Sequence, residues 1–274
     1  IGDMVIFLPF IEAISKKFNS SIILLTKESS KAKEYLSNNN HIEKIIDLRR
    51  NNSNDIHQGL KGFFRLRKDL KKFNFDKAFI FNSSTRYNLV CKFAGIKEIY
   101  QYPLFKKNKQ HIIGAAKSLL EKINLNIDSD PKISIEENLV MEAKRKFNIN
   151  DKQINVLLGI GGSGPTKRTP AKIIKEFIKL SLKNYDCKFF LATGNNKEEQ
   201  EIQNEIILSF KEHCIPLSNL SISDTLPIIK NCKISICNDT SFSHLSAALN
   251  VPTIVLMCDS PLLYGSYSKK MYPI

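Results

Sequence analysis

Between residues 151 and 274, four apolar runs of strand length alternate with four stretches whose apolar residues recur at three-and-four spacing. The runs are Ile154 to Leu158, Lys188 to Ala192, Lys233 to Cys237 and Thr253 to Met257. The periodic stretches are Pro170 to Lys183, Lys197 to Phe210, Ser223 to Asn231 and Ser241 to Leu249. Strands separated by helices pair in parallel, and a parallel sheet has to be covered on both faces. The first half repeats the arrangement less clearly. Strands are predicted at Ile22 to Leu25, Lys44 to Leu48, Lys77 to Phe81 and, more weakly, Glu98 to Tyr102, with helices at Pro9 to Phe18, Ser30 to Ser37, Leu60 to Lys72 and Tyr87 to Gly95.

His111 to Leu125 and the charged stretch Glu136 to Phe147 read as two further helices. Between them Asn126 to Pro131 is polar and ends on proline, as a linker does. A chain of 274 residues is long for one core. The expected architecture is therefore α/β with two Rossmann-like domains, 1–130 and 131–274. Ile1-Gly2-Asp3 opens without methionine or leader, in a loop-like pattern that would normally follow a strand, and the chain stops at Ile274 without a final helix. Truncation at both ends is expected, with a first strand missing. No apolar run approaches the roughly 20 residues that span a bilayer.

The six cysteines and five histidines form no C-x-x-C or H-x-x-x-H pair, which argues against zinc or iron–sulfur sites. Cys91, Cys187, Cys214, Cys232, Cys237 and Cys258 mostly lie in or beside apolar segments, as buried thiols in a reducing cytoplasm do. The net charge of +14 is lopsided: residues 1–150 hold 27 Lys and Arg against 16 Asp and Glu, and residues 151–274 hold 14 against 11. A basic first half suits nucleic acid, an anionic membrane surface or an anionic glycolipid; solvated lysine-rich helix faces are the plainer reading.

Two segments point to chemistry. In Ser235 to Leu249 an apolar strand ends on Asn238-Asp239-Thr240 and a helix starts at once. The first-turn N–H groups have no intrahelical partner there and the macrodipole adds positive charge, so an anion such as phosphate is favoured. After Ile154 to Leu158 comes Gly159-Ile160-Gly161-Gly162-Ser163-Gly164-Pro165-Thr166-Lys167-Arg168, a second phosphate candidate or simply a flexible glycine turn. Gly159, Gly161 and Gly164 satisfy the letters of a dinucleotide fingerprint, as in an NAD-type oxidoreductase. Pro170 defers the helix, however, and Thr193-Gly194-Asn195 stands where the ribose-binding acid is expected. A Walker loop is excluded, because Pro165 follows Gly164 where lysine is required.

Three smaller features complete the inventory. Asp3, on a loop after the missing strand, would either act as a general base or cap a helix. His244, five residues after Asp239, is either a ligand contact or a capping side chain. Asp128-Ser129-Asp130 has the D-x-D form of some metal sites, but it lies in the linker before Pro131, and no other carboxylate cluster calls for a divalent ion.

Taken together, Ile1-Gly2-Asp3-Met4-Val5 with Pro9, Gly162-Ser163 with Lys167-Arg168-Thr169-Pro170, Leu220-Ser221-Ile222, and Asn238-Asp239-Thr240 with His244 and Ala247 to Pro252 resemble glycosyltransferase family 9, the ADP-heptose:lipopolysaccharide heptosyltransferases. The resemblance covers nearly the whole chain. It implies a GT-B fold of two facing Rossmann-like domains and an inverting, metal-independent transfer of heptose from ADP-heptose to a lipopolysaccharide core acceptor. No cofactor is implied beyond the nucleotide-sugar donor. By the same resemblance Asp3 is the base, and Gly162, Ser163, Lys167, Asp239, Thr240, Ser241, Phe242 and His244 surround the diphosphate and donor sugar. Leu220 lines the adenine pocket. The enzyme is expected in the cytoplasm, in peripheral contact with the inner membrane and without a nucleic-acid partner. A non-enzymatic nucleic-acid-binding protein, the rival suggested by charge, finds no stacking pattern of aromatics among its basic residues. The chain departs from the family pattern at Ser241, where glycine is usual, and at Thr169, where an aromatic precedes the proline.

Overall fold

A computed structural model of the chain describes residues 1–102, 112–162, 164–257 and 267–274. In chain order its elements begin with α1 (Gly2–Ile6), α2 (Leu8–Phe18), β1 (Ile22–Lys27), α3 (Lys33–Leu36), β2 (Ile42–Leu48), α4 (Gly59–Lys71), β3 (Lys77–Ile80), α5 (Thr85–Ala94), β4 (Glu98–Gln101) and α6 (Ile112–Glu121). They continue with α7 (Glu137–Lys146), β5 (Ile154–Gly159), α8 (Ala171–Asn184), β6 (Cys187–Ala192), α9 (Lys197–Phe210), β7 (Cys214–Pro216), α10 (Ile222–Lys230), β8 (Ile234–Asn238), α11 (Ser241–Ala248), β9 (Thr253–Leu256) and β10 (Met271–Pro273). Two compact units result. The larger comprises Ser129–Ile274 together with Ile1–Leu8 and Lys33–Asn38, and the smaller comprises Pro9–Ala32 and Asn39–Asp128.

The larger unit is built on a six-stranded parallel sheet in the order β10-β9-β8-β5-β6-β7. In order of appearance this is the 3-2-1-4-5-6 arrangement of dinucleotide-binding folds read from the β7 edge, with its switch point between β5 and β8. Its central strands are apolar on both faces because helices cover both. Val156 and Leu158 of β5 and Phe189 and Leu191 of β6 pack with Ile174 and Ile178 of α8 and Ile206 of α9. The expected strands and helices of this half are present.

The smaller unit holds two parallel ladders, β1 with β2 and β3 with β4. Helices α4 and α5 pack on them through Leu66, Leu70, Val90 and Ala94, against Leu48 and Ile80. The stretch expected as one helix over Ser30 to Ser37 is instead a 3-10 turn, Glu28–Ser30, followed by α3. Lys31 between them takes a left-handed conformation (φ 51°) that no helix continues through.

Two other local expectations change, both at Gly2-Asp3. Gly2 and Asp3 do not form a loop: they open α1, closed by Met4 N–H and Val5 N–H to the Ile1 carbonyl. The helix buries Met4, Val5 and Ile6, and an acid in a first turn suits the macrodipole. Asp3 is not the helix cap, a position that falls at Ile1. Asp130, from the D-x-D, accepts hydrogen bonds from Ser268 Oγ (2.9 Å) and Lys269 N (3.0 Å), in the turn that leads into β10. Cys91, Cys187, Cys214, Cys232 and Cys237 are free and buried, and burial pushes the Cys214 thiol up to about 12. Cys258, and His111 at the expected start of α6, lie outside the described residues.

Candidate functional site

In a doubly wound sheet, ligands bind at the carboxyl ends of the strands flanking the switch point, because the loops there part in opposite directions. Both phosphate candidates fall at that place. β5 and β8 are neighbours with Gly159 opposite Cys237, so the glycine loop after β5 and the Asn238-Asp239-Thr240 turn after β8 leave the same edge side by side.

The β5 loop is held from outside itself. Asn238, 3% exposed, donates from Nδ2 to the carbonyls of Ile160 (3.0 Å) and Gly161 (3.1 Å) and accepts at Oδ1 from Thr169 Oγ1 (2.7 Å). One amide side chain thus joins both loops, and the Thr169 hydroxyl completes the link. From the other side the buried carboxylate of Glu199 accepts from Gly162 N (3.1 Å), Gly194 N and Asn196 Nδ2 (2.6 Å). Close approach requires the glycines. A Cβ on Gly161 would collide with the Glu199 carboxylate, and one on Gly162 would stand 2.6 Å from the Lys167 carbonyl oxygen.

The β8 junction is built locally. Thr240 caps α11, accepting at Oγ1 from Phe242 N (3.3 Å), and Ser243 Oγ donates to the Thr240 carbonyl (2.7 Å). Ser241 is the first residue of the helix and is half-buried, as is Phe242. Lys167 reaches across from the β5 loop and pairs with Asp239; the two side chains are 16% and 8% exposed. Arg168 donates to the Gly162 carbonyl (3.0 Å) and lies 3.7 Å from Glu198. Each cation of the loop already faces a carboxylate, so an incoming phosphate competes with Asp239 for Lys167.

His244, 5% exposed, lies on α11 with Nδ1 at 2.6 Å from the Tyr267 hydroxyl, the two rings stacked at 5.6 Å. Burial lowers its pKa to about 4, against the attraction of Asp239. The imidazole is therefore neutral at pH 7, and positive potential in the cradle comes from Lys167 and the helix start. Gly2 packs on this ring: a Cβ there would come within 2.8 Å of His244 Cδ2. That contact brings exposed Asp3, the next residue, beside α11 within the larger unit.

The structure therefore gathers Gly162, Lys167, Asp239, Thr240, Ser241, Phe242 and His244 in one place, with Asp3 one residue from the His244 contact. Ser163 lies outside the described residues. Leu220 sits apart, in the turn between β7 and α10, two strands from β5 and so roughly 10 Å along the sheet. Among the described residues no three His, Cys, Asp or Glu side chains group to hold a metal ion. Glu199, after β6, is engaged by the amides of Gly162 and Gly194 and so is not available to a dinucleotide ribose. Glu199 and Tyr267 were not legible as site residues. Asn196-x-x-Glu199 has a helix-start signature, and Asn196 Oδ1 does accept from Glu199 N (2.9 Å), but that signature does not point to the β5 loop.

Comparison with known proteins gives a consistent result. A family model described as "Glycosyltransferase family 9 (heptosyltransferase)" matches residues 99–272. Lipopolysaccharide heptosyltransferase 1 of Campylobacter coli is 26% identical over 57% of this chain and 48% of its own length. Lipooligosaccharide heptosyltransferase 2 of Campylobacter jejuni is 29% identical over 70% of this chain and 59% of its own. The chain thus spans less than two thirds of these curated relatives. Among solved structures, E. coli ADP-heptose lps heptosyltransferase II superposes with a TM-score of 0.79 at 18% identity, covering 100% of this chain and 87% of that one. A glycosyl transferase family 9 protein from Veillonella parvula gives 0.81 at 17% identity, covering 100% and 83%. These neighbours share the α/β, GT-B fold class.

Proposed function

Because this chain belongs to glycosyltransferase family 9, we propose that it transfers a sugar from a nucleotide-sugar donor to a lipopolysaccharide core acceptor, heptose from ADP-heptose being the donor the relatives' names favour. The observation that carries the proposal is the meeting of Lys167 with the start of α11 at the switch point of the sheet. Departure of a nucleoside diphosphate places negative charge where a lysine and the positive end of α11 can stabilise it, without a metal. Lys167 exchanges Asp239 for the diphosphate. Thr240, Ser241 and Phe242 surround it at the start of α11, Gly162 and Ser163 border it, and His244 meets the donor sugar as a neutral hydrogen-bonding ring.

Leu220 lines the adenine pocket. Asp3, exposed beside α11, takes the proton of the acceptor hydroxyl as that oxygen attacks the anomeric carbon from the face opposite the diphosphate, which inverts the centre. The protein works in the cytoplasm, at the membrane face where such an acceptor is held.

The test separates binding from chemistry. In calorimetric titrations ADP and ADP-heptose should bind more tightly than UDP, GDP and NAD, and Lys167→Ala should weaken ADP roughly ten- to a hundredfold, the worth of a charge-assisted bond. Asp3→Asn should keep that affinity and lose about a thousandfold in turnover. Tighter binding of NAD than of ADP would overturn the reading, and unchanged turnover in Asp3→Asn would remove the base from it.

A further inference from the structure

The smaller unit carries a surface that the transfer reaction does not use. Leu60 and Phe64, four residues apart on α4, are 80% and 62% exposed, and Leu89 and Phe93, four apart on α5, are 45% and 61% exposed. Four-residue spacing puts each pair on one helix face. The faces adjoin. Phe63 stands edge-on to both Phe64 (5.4 Å) and Phe93 (6.0 Å), and Arg67 Nε donates to the Phe93 carbonyl (2.8 Å). Arg86, at the start of α5, donates to the Gly59 carbonyl (2.8 Å), so the two helices lie side by side in the same direction. Contiguous exposed aromatic and aliphatic side chains on a soluble surface mark an interaction site.

The charges around this surface identify the occupant. α4 carries Lys61, Arg65, Arg67, Lys68 and Lys71 against one carboxylate, Asp69, which is engaged by Lys72 at 2.7 Å; α5 carries Arg86 and Lys92 and no acid. Among the described residues, no ion pair is formed by Lys61, Arg65, Lys68, Lys71 or Lys92. Lys61, Arg65 and Lys68 run along α4 beside the Leu60–Phe64 stripe. Apolar side chains bordered by unneutralised cations fit a surface that is anionic outside and hydrocarbon beneath, where the rings enter the acyl boundary and the ammonium groups meet phosphates.

We propose that the α4–α5 face docks the protein on an anionic lipid bilayer through Leu60, Phe64, Leu89 and Phe93, ringed by Lys61, Arg65, Lys68 and Lys92. This extends the reading of a membrane-held acceptor, but its test needs neither donor nor turnover. Helix α8 also exposes Ile173, Phe177 and Leu180, but it sets four lysines against Glu176, with Lys175 paired to Glu205, where α4 and α5 together set seven cations against Asp69, so the less basic α8 serves as the control.

The full chain is sedimented with vesicles of phosphatidylglycerol and phosphatidylcholine, or of phosphatidylcholine alone, at physiological salt. Binding is expected to the anionic vesicles and to be at least tenfold weaker on neutral ones. Phe64→Ser with Phe93→Ser should lower it at least tenfold, from the lost burial of two rings. Lys61→Glu, Arg65→Glu and Lys68→Glu together should lower it by roughly fivefold or more per charge. Ile173→Ser with Phe177→Ser should bind as the parent does. Circular dichroism melting of each variant keeps the fold in view. Equal binding to both vesicles, or loss only in the α8 variant, overturns the proposal. So does tighter binding to single-stranded nucleic acid than to anionic vesicles. A dimer in sedimentation velocity that the Phe64 and Phe93 changes dissociate, with no vesicle binding, assigns the face to a second copy and overturns it too.

Discussion

The loop after β5 and the junction after β8 leave one edge of one sheet side by side, but they are held in opposite ways. The turn into α11 is capped by its own neighbours: Thr240 caps the helix it begins, and Ser243 returns to the Thr240 carbonyl. The β5 loop adds distant side chains to its own Arg168–Gly162 bond. Its glycines admit Glu199, 37 residues on, and Asn238 from the other loop, and those two side chains carry its shape. A local motif and a borrowed scaffold therefore stand together at one candidate phosphate site. Their responses to substitution should differ in size.

The largest effect is expected at Glu199. Glu199→Ala leaves the amides of Gly162 and Gly194 without their acceptor and Arg168 without its buried neighbour, a cost of about 4 kcal/mol. Urea denaturation measures it; a cost under about 1 kcal/mol would mean that the β5 loop supports itself and the contrast fails.

His244 comes next, as the junction's main dependence on packing. Its folded pKa near 4 lies below the ordinary 6.5, so as the pH falls the unfolded chain takes up the proton first. Stability is full above pH 6.5, falls between 6.5 and 4 by about 3 kcal/mol, and levels off below. The slope should be absent from His244→Asn, measured by denaturation across that range; a slope of the same size in the variant would assign it to other groups. The smallest effect belongs to Thr240→Ala, about 1 kcal/mol for a lost cap. A loss above about 3 kcal/mol there would show that the junction too is held from a distance.

What could be read from the sequence follows the same division. Asn238-Asp239-Thr240 before a helix was recognisable because capping is a transaction between neighbours. Lys167 was recognisable as a cation beside a glycine turn, but not as the partner of Asp239, which only the adjacency of β5 and β8 decides. The larger sheet was legible through its apolar strands, whereas β7 and β10 were not. Each is three residues long, contains a proline and lies at an edge, where a missing ladder donor costs little and leaves no periodic trace. α1 was illegible for a third reason: Gly2-Asp3 has turn chemistry, and the helix exists because Met4, Val5 and Ile6 find cover within a unit whose other residues are mostly more than a hundred positions away.

The make-up of the larger unit also sets the order in which it can be completed. Gly2 rests on His244, and the carboxylate of Glu34 accepts from Ile222 N (2.7 Å) across 188 residues. On the ribosome the early partners emerge long before the late ones, so α1 and α3 must wait, with their apolar sides uncovered, while the smaller unit is made. Closing such distant ends is slow in any chain. A stalled or shortened nascent chain therefore leaves the apolar sides of two small helices unhoused, and severing the chain near residue 129 would separate a Rossmann-like sheet from the segments that cover α10 and α11.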